Sequence, residues 1–207
     1  MTHIFLKKNQ RMGFALFLLV LCLGFFRNAW AIDAPAAGET PMPFQPYTDV
    51  LLGTNVTLEH PQEWTVQKER GQSEIYEQIR LLGPKNTAGT FRALISVRVY
   101  PLAKEGGRFA NVEEFIANYA NHLPKGAKIE TNRRLITENT ASVLTASYTI
   151  PPVYQQGLKG LAIPVQSKVC VFQRESHLVE ISFSTDAEEF EEQQAIFEHV
   201  LASLRLE

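Results

Sequence analysis

The chain has 207 residues, with 20 Lys/Arg against 22 Asp/Glu and 45% hydrophobic residues. That is the length and composition of one globular domain with its own core. A chain without excess positive charge is a poor partner for phosphate backbones, which argues against nucleic-acid binding.

The first 31 residues read as a targeting segment. Lys7, Lys8 and Arg11 precede an apolar run of 15 residues, Met12 to Phe26. That length fits the core of a signal peptide and is short of the roughly 20 residues a spanning helix needs. Ala29 and Ala31 then stand in the small-x-small pattern, so cleavage is expected before Ile32. The alternative is an uncleaved N-terminus anchoring a structural envelope protein in the inner membrane; otherwise the membrane is met only through the signal segment. Cys22 is a poor lipidation site because the bulky Leu21 precedes it. Residues 1–31 hold four basic and no acidic residues, so the remaining chain carries 16 basic against 22 acidic, net −6. Periplasmic or secreted is the expected location.

Residues 32–47 contain four prolines and no apolar period, and are read as a Pro-rich flexible leader. The single domain is expected over 48–207. Segments 55–60 and 64–68 read as two strands of a hairpin with Pro61 in the turn and Trp64 entering the core behind it. Pro61 and Trp64 are taken as a signature of the fold rather than a binding lip. In 73–82, Ile75, Ile79 and Leu81 share a face, and 83–89 reads as a turn-rich loop. Residues 91–100 are the clearest strand, with Phe91, Ala93, Ile95, Val97 and Val99 on one face.

A helix is expected from Asn111, an N-cap with Glu114 in the capping-box position, and is stopped by Pro124-Lys125-Gly126. Strands follow at 128–139, an edge by its polarity, then at 142–150, 165–174 and 177–185. A second helix is expected over 186–204, capped by Thr185 with Glu188 in the reciprocal place, and burying Phe190, Ile196, Phe197, Val200, Leu201 and Leu204. Short connections favour antiparallel pairing, so the order of elements predicts an α+β domain, an antiparallel sheet covered by amphipathic helices.

The long connection 151–164 places Val153, Tyr154, Leu158 and Leu161 among Pro, Gly and Gln. Apolar residues there either fold onto the core or are offered to a partner, and these four are the candidate partner-binding residues. No catalytic pattern emerges. His60, His122, His177 and His199 lack metal-ligand spacing, and no G-x-S-x-G elbow or phosphate loop occurs. Cys170, between valines, reads as a buried thiol. No catalytic, cofactor or metal residue is assigned, and no cofactor is expected.

The order of segments resembles the PsbP-like family and the bacterial DcrB-like proteins of the same superfamily, whose fold is shared with Ran-binding Mog-type proteins. The matching stretches are "VTLEHPQEW", "ALISVRVY", "NVEEFIANYANHL", "SVLTASYTI", "SKVCVFQ", "HLVEISFST" and "FEHVLASLRL", which span roughly residues 50–205. Glu63 departs from the glycine that often precedes the tryptophan. The resemblance implies an α/β/α sandwich and a non-enzymatic role in binding or assembly, with a protein partner in the bacterial envelope. In photosystem-associated members that role is support of the oxygen-evolving complex, and Ran-binding relatives bind a GTPase; neither carries over residue by residue. The rival expectation is a periplasmic enzyme or small-molecule binder whose site is assembled only in three dimensions.

Overall fold

The computed structural model describes residues 42–71, 75–136, 138–151 and 162–207. They form a seven-stranded antiparallel sheet of order β3-β4-β5-β9-β8-β7-β6 and a three-stranded sheet of order β1-β2-β10. The strands are β1 (Phe44–Leu51), β2 (Thr54–Pro61), β3 (Thr65–Arg70), β4 (Glu77–Lys85), β5 (Arg92–Pro101), β6 (Lys128–Ile136), β7 (Asn139–Ile150), β8 (Ile163–Arg174), β9 (His177–Asp186) and β10 (Arg205–Leu206). Helices α1 (Val112–His122) and α2 (Phe190–Ser203) complete the α+β domain.

The two faces of the large sheet are unlike. On one, α2 packs against β9 and β2, and buries Phe190, Ile196, Phe197, Val200, Leu201 and Leu204 with Ile95, Val97, Cys170, Phe172, Ile181 and Phe183. Phe183 stacks on Phe197 with ring centroids 5.3 Å apart. On the other, α1 packs on β8 through Phe115, which meets Tyr100, Phe109, Val169, Val171 and Leu178. Phe109, Phe115 and Tyr100 form an edge-to-face triangle with centroids 5.1–5.7 Å apart. Gly107 is required on the way into this helix, because a Cβ there would lie 1.7 Å from the Pro101 carbonyl oxygen.

Asn111 caps α1 as expected: its Oδ1 accepts from the Glu114 amide at 2.9 Å. The Glu114 carboxylate reaches back one residue further than a capping box, accepting from the Ala110 amide at 2.7 Å.

Several expectations are corrected. The leader 32–47 ends early, because β1 begins at Phe44 and pairs with β2 along its full length. Pro46 is compatible with this strand because β1 is an edge, where a missing N–H leaves no ladder bond unmade; Phe44 packs on the core. Residues 55–60 and 64–68 are strands but not a hairpin. β2 pairs with β1 and β10, whereas β3 pairs with β4 in the other sheet. Both strands alternate alike, and alternation does not encode which neighbour a strand takes. Ile75 lies before β4 and is 59% exposed, and β4 runs on to Lys85 through the expected loop. Thr185 does not cap α2, because it is still paired with Gln166 in β9. The Asp186 carboxylate instead accepts from the Glu188 amide at 3.1 Å, and the helix begins at Phe190. β10, too short to show periodicity, was not anticipated; it is bracketed by reciprocal Asn55–Glu207 backbone bonds of 2.8 and 2.9 Å.

The Pro61–Trp64 stretch is the corner where the chain leaves the small sheet for the large one. The Trp64 amide donates to the Pro61 carbonyl at 3.0 Å, and the indole is 5% exposed in the core. Its ring lies against Gly83 of β4, where a Cβ would come within 2.6 Å of Cζ2. Tryptophan at 64 therefore demands glycine at 83. Trp64→Ala should cost about 3–5 kcal/mol and Gly83→Ala about 1–3 kcal/mol, read by urea unfolding. The double variant should lose clearly less than the sum, since the new methyl enters the vacated space. Additive losses would contradict the contact.

Candidate functional site

The face of the large sheet that carries α1 is polar at its centre, which is unusual for a covered sheet. The register sets out its side chains in rows. Gln78, Arg98, Glu180 and Val171 form one row across β4, β5, β9 and β8. Arg80, Ser96, Ser182 and Val169 form the next, and Leu82, Leu94, Ser184 and Ser167 the one after.

Glu180 is the deepest charge, at 1% exposure. Arg98 Nη1 donates to its two oxygens at 2.9 and 3.2 Å, and the Tyr100 hydroxyl donates at 2.7 Å. Arg98 Nε also donates to Gln78 Oε1 at 2.7 Å. Gln78 Nε2 passes the chain to Glu69 at 2.7 Å, and Arg80 closes on the other Glu69 oxygen at 2.8 Å. Tyr76 lies over the Arg98 guanidinium, 5.9 Å from the ring centroid. A buried carboxylate is tolerated only with such pairing.

Beyond this network the floor is small and hydroxylic. Ser96, Ser167, Ser182 and Ser184 stand on β5, β8 and β9, and the Ser96 hydroxyl is buried without a partner among the described residues. Tyr119 of α1 and Tyr148 of β7 lie on the same face, and the Ser167 hydroxyl is directed to the Ala146 carbonyl at 3.5 Å. Burial pushes the Tyr119 hydroxyl up to about 12, and it raises Tyr148 and, together with the Glu180 charge, Tyr100. These phenols stay protonated at neutral pH, and Tyr100 donates its proton to the Glu180 carboxylate.

The connection between β7 and β8 leaves the sheet after Ile150 and returns at Ile163, which pair with each other two residues from the Tyr148–Val165 pair. Val153, Tyr154, Leu158 and Leu161 lie in that connection, outside the described residues, as do Ala29, Ala31 and Ile32.

The histidines are dispersed. His60 is buried in the small sheet with Nδ1 2.8 Å from the Pro61 carbonyl. His122 Nδ1 lies 2.6 Å from the Asn118 carbonyl. His199 stacks on Phe44 at 3.8 Å and meets Glu59 at 2.8 Å. His177 sits at a shallow notch of about 180 Å3 with Arg174, Glu175 and Glu207, on the opposite face of β9 from Glu180. Cys170 is buried under α2, and desolvation pushes its thiol up to about 12, so it is a core residue rather than a nucleophile.

Sequence reasoning did not single out Glu180, Arg98, Tyr100 or Gln78. The signal was present: one acid in "LVEISF" and one base in "SVRVY", each alone in an apolar strand. Their pairing needed the β5–β9 register.

No family model matches the chain, and no curated protein does. Among solved structures, the chain is similar to cyanobacterial PsbP (CyanoP) from Synechocystis sp. PCC 6803, at 13% identity and a TM-score of 0.43, over 84% of this chain and 99% of that one. It is also similar to LpqN, involved in cell envelope biogenesis of Mycobacterium tuberculosis, at 12% identity and a TM-score of 0.46, over 79% of this chain and 91% of that one.

Removing one partner from the buried cluster leaves the other charge unpaired. Glu180→Ala should cost about 3–5 kcal/mol in urea unfolding, and the joint Glu180→Met, Arg98→Met variant should recover most of that loss. A Glu180→Ala cost below about 1 kcal/mol would show that the cluster is not held as described.

Proposed function

We propose that the chain is an exported, non-enzymatic PsbP-like accessory domain that binds a protein partner of the bacterial envelope. The surface it uses is the α1 face of the large sheet together with the adjoining 152–161 connection. One helix on each face of the sheet supports the α/β/α sandwich that goes with this reading.

The observation that carries it is the pairing state of the α1 face. Glu180 is engaged by Arg98 and Tyr100, and Glu69 by Gln78 and Arg80. Both carboxylates are taken up by partners within the face, and the tyrosines beside them are held protonated. The face offers fixed donors, aromatic edges and small side chains, which suit recognition better than proton transfer. In the sequence of the β7–β8 connection, Tyr154 and Leu158 supply an aromatic and an aliphatic candidate anchor, and aromatic anchors carry interface energy when buried.

The rival reading, an enzyme or small-molecule binder, has one observation in its favour: His177 shares its notch with two acidic residues and Arg174. At about 180 Å3 that notch is below the roughly 300–1,000 Å3 of small-molecule sites.

Affinity capture from envelope extracts should recover a specific protein with the wild-type chain and lose it with Tyr154→Ala or Leu158→Ala. Capture unchanged in both variants would move the site elsewhere, and recovery of nothing specific would contradict the partner. N-terminal sequencing of the exported chain should begin at Ile32, and a start at Met1 would contradict cleavage.

A further inference from the structure

The two edges of the large sheet differ. β3 is short. β6 is nine residues long, exposed from Lys128 to Leu135, and without a strand on its outer side among the described residues. It also carries two large apolar side chains in solvent, Ile129 at 39% and Leu135 at 69% exposure. Sheet edges of this length are ordinarily blunted by charge, and β6 carries Lys128, Glu130, Arg133 and Arg134, so a chain that pairs with its free N–H and C=O groups must match those charges.

We infer that β6 pairs antiparallel with β6 of a second copy about a two-fold axis through Asn132, extending the sheet across the dimer. In an antiparallel ladder, directly opposed residues point to the same face, so the axis must pass through a residue and not between two. Centred on Asn132, the pairing sets Ile129 opposite Leu135 of the second copy, and Glu130 opposite its Arg134, each twice by symmetry. The apolar pairs fall on the α1 face and the charged pairs on the α2 face. Neighbouring registers do neither. An axis through Thr131 opposes Lys128 to Arg134 and Ile129 to Arg133; one through Arg133 opposes that arginine to itself; one through Glu130 opposes two glutamates. Cross-strand pairs of like charge destabilise, and opposite-charge and apolar pairs stabilise.

The surroundings of Arg134 agree. Glu198 already takes two cations, Arg134 and Lys168. Beside them, Arg134 and Arg205 line a shallow cleft of about 190 Å3 with Leu135, Ile136 and Leu201. Arg205 is spent on the Ala202 and Leu204 carbonyls and meets no acid among the described residues. Three cations, Arg134, Lys168 and Arg205, thus stand around one carboxylate, Glu198, and Glu130 of the second copy supplies another negative charge. The axis stands perpendicular to the sheet, so both α1 faces end on the same side of the dimer.

A single strand pair buries less than the roughly 1,200–2,000 Å2 of a standard interface, so the dimer is a weak one. Sedimentation of the purified full chain between about 10 µM and 1 mM should show the mass rising from one chain toward two. Glu130→Arg and Arg134→Glu should each weaken association by about tenfold or more. Mixing these two variants should restore it, because the mixed pair again opposes unlike charges. Ile129→Lys, on the other face, should weaken it independently. Circular dichroism confirms that each variant is folded. A wild-type chain that stays at one chain mass to about 1 mM would overturn the proposal. So would association that survives both Glu130→Arg and Ile129→Lys, or a mixture of folded charge variants that remains monomeric.

Discussion

Glu180 stands in the middle of β9, itself the central strand of the seven, with its carboxylate sealed from water. Everything around it follows from the need to satisfy that charge. Arg98 must be its direct neighbour on β5, and Tyr100 must reach it from two residues on. Gln78 then accepts from Arg98 Nε. The aromatic triangle that seats α1 is built on Tyr100, so one side chain serves the carboxylate with its hydroxyl and the helix with its ring. The position of α1 and the polarity of the face beneath it are thus two consequences of one buried acid.

The opposite face obeys a simpler rule. Its centre is apolar, and α2 with the small sheet removes that centre from water; charge returns toward the β6 edge, where Arg134 and Lys168 meet Glu198. The small sheet is tied on by its own polar links: Lys68 of β3 reaches Asp49 at 2.7 Å and the Val50 carbonyl at 2.8 Å, and Glu77 accepts from the Leu52 amide at 2.9 Å. Asp49 is held below the usual carboxylate range, mainly by the Lys68 hydrogen bond. The core secures the fold, and the α1 face is left to vary in chemistry.

Local pattern carried much of this. Every strand from β5 onward except β10, the α1 cap at Asn111 and the buried stripe of α2 could be read from spacing, because each depends on near neighbours in the chain. What could not be read depends on distant ones. Phe44–Tyr47 look like a proline-rich tail until β2 is beside them. Segments 55–60 and 64–68 look like a hairpin because a three-residue corner and a tight turn have similar composition. Thr185 looks like a cap because its strand pairing with Gln166 is invisible in one dimension. The polar cluster was hidden for the same reason: Arg98 and Glu180 are 82 positions apart. The candidate partner-binding residues Val153, Tyr154, Leu158 and Leu161 rest on composition alone and lie outside the described residues.

The two proposals about this domain meet on the same side of the sheet. A dimer through β6 would set two α1 faces side by side, doubling the surface offered to a partner, while the α2 faces remain core. The most direct measurement is photo-crosslinking in the producing cell with a benzophenone amino acid placed at Tyr148, on the α1 face, and separately at Glu191, on the exposed side of α2. The account predicts a discrete adduct with another protein from Tyr148 and none from Glu191. An adduct from Glu191 alone would contradict it.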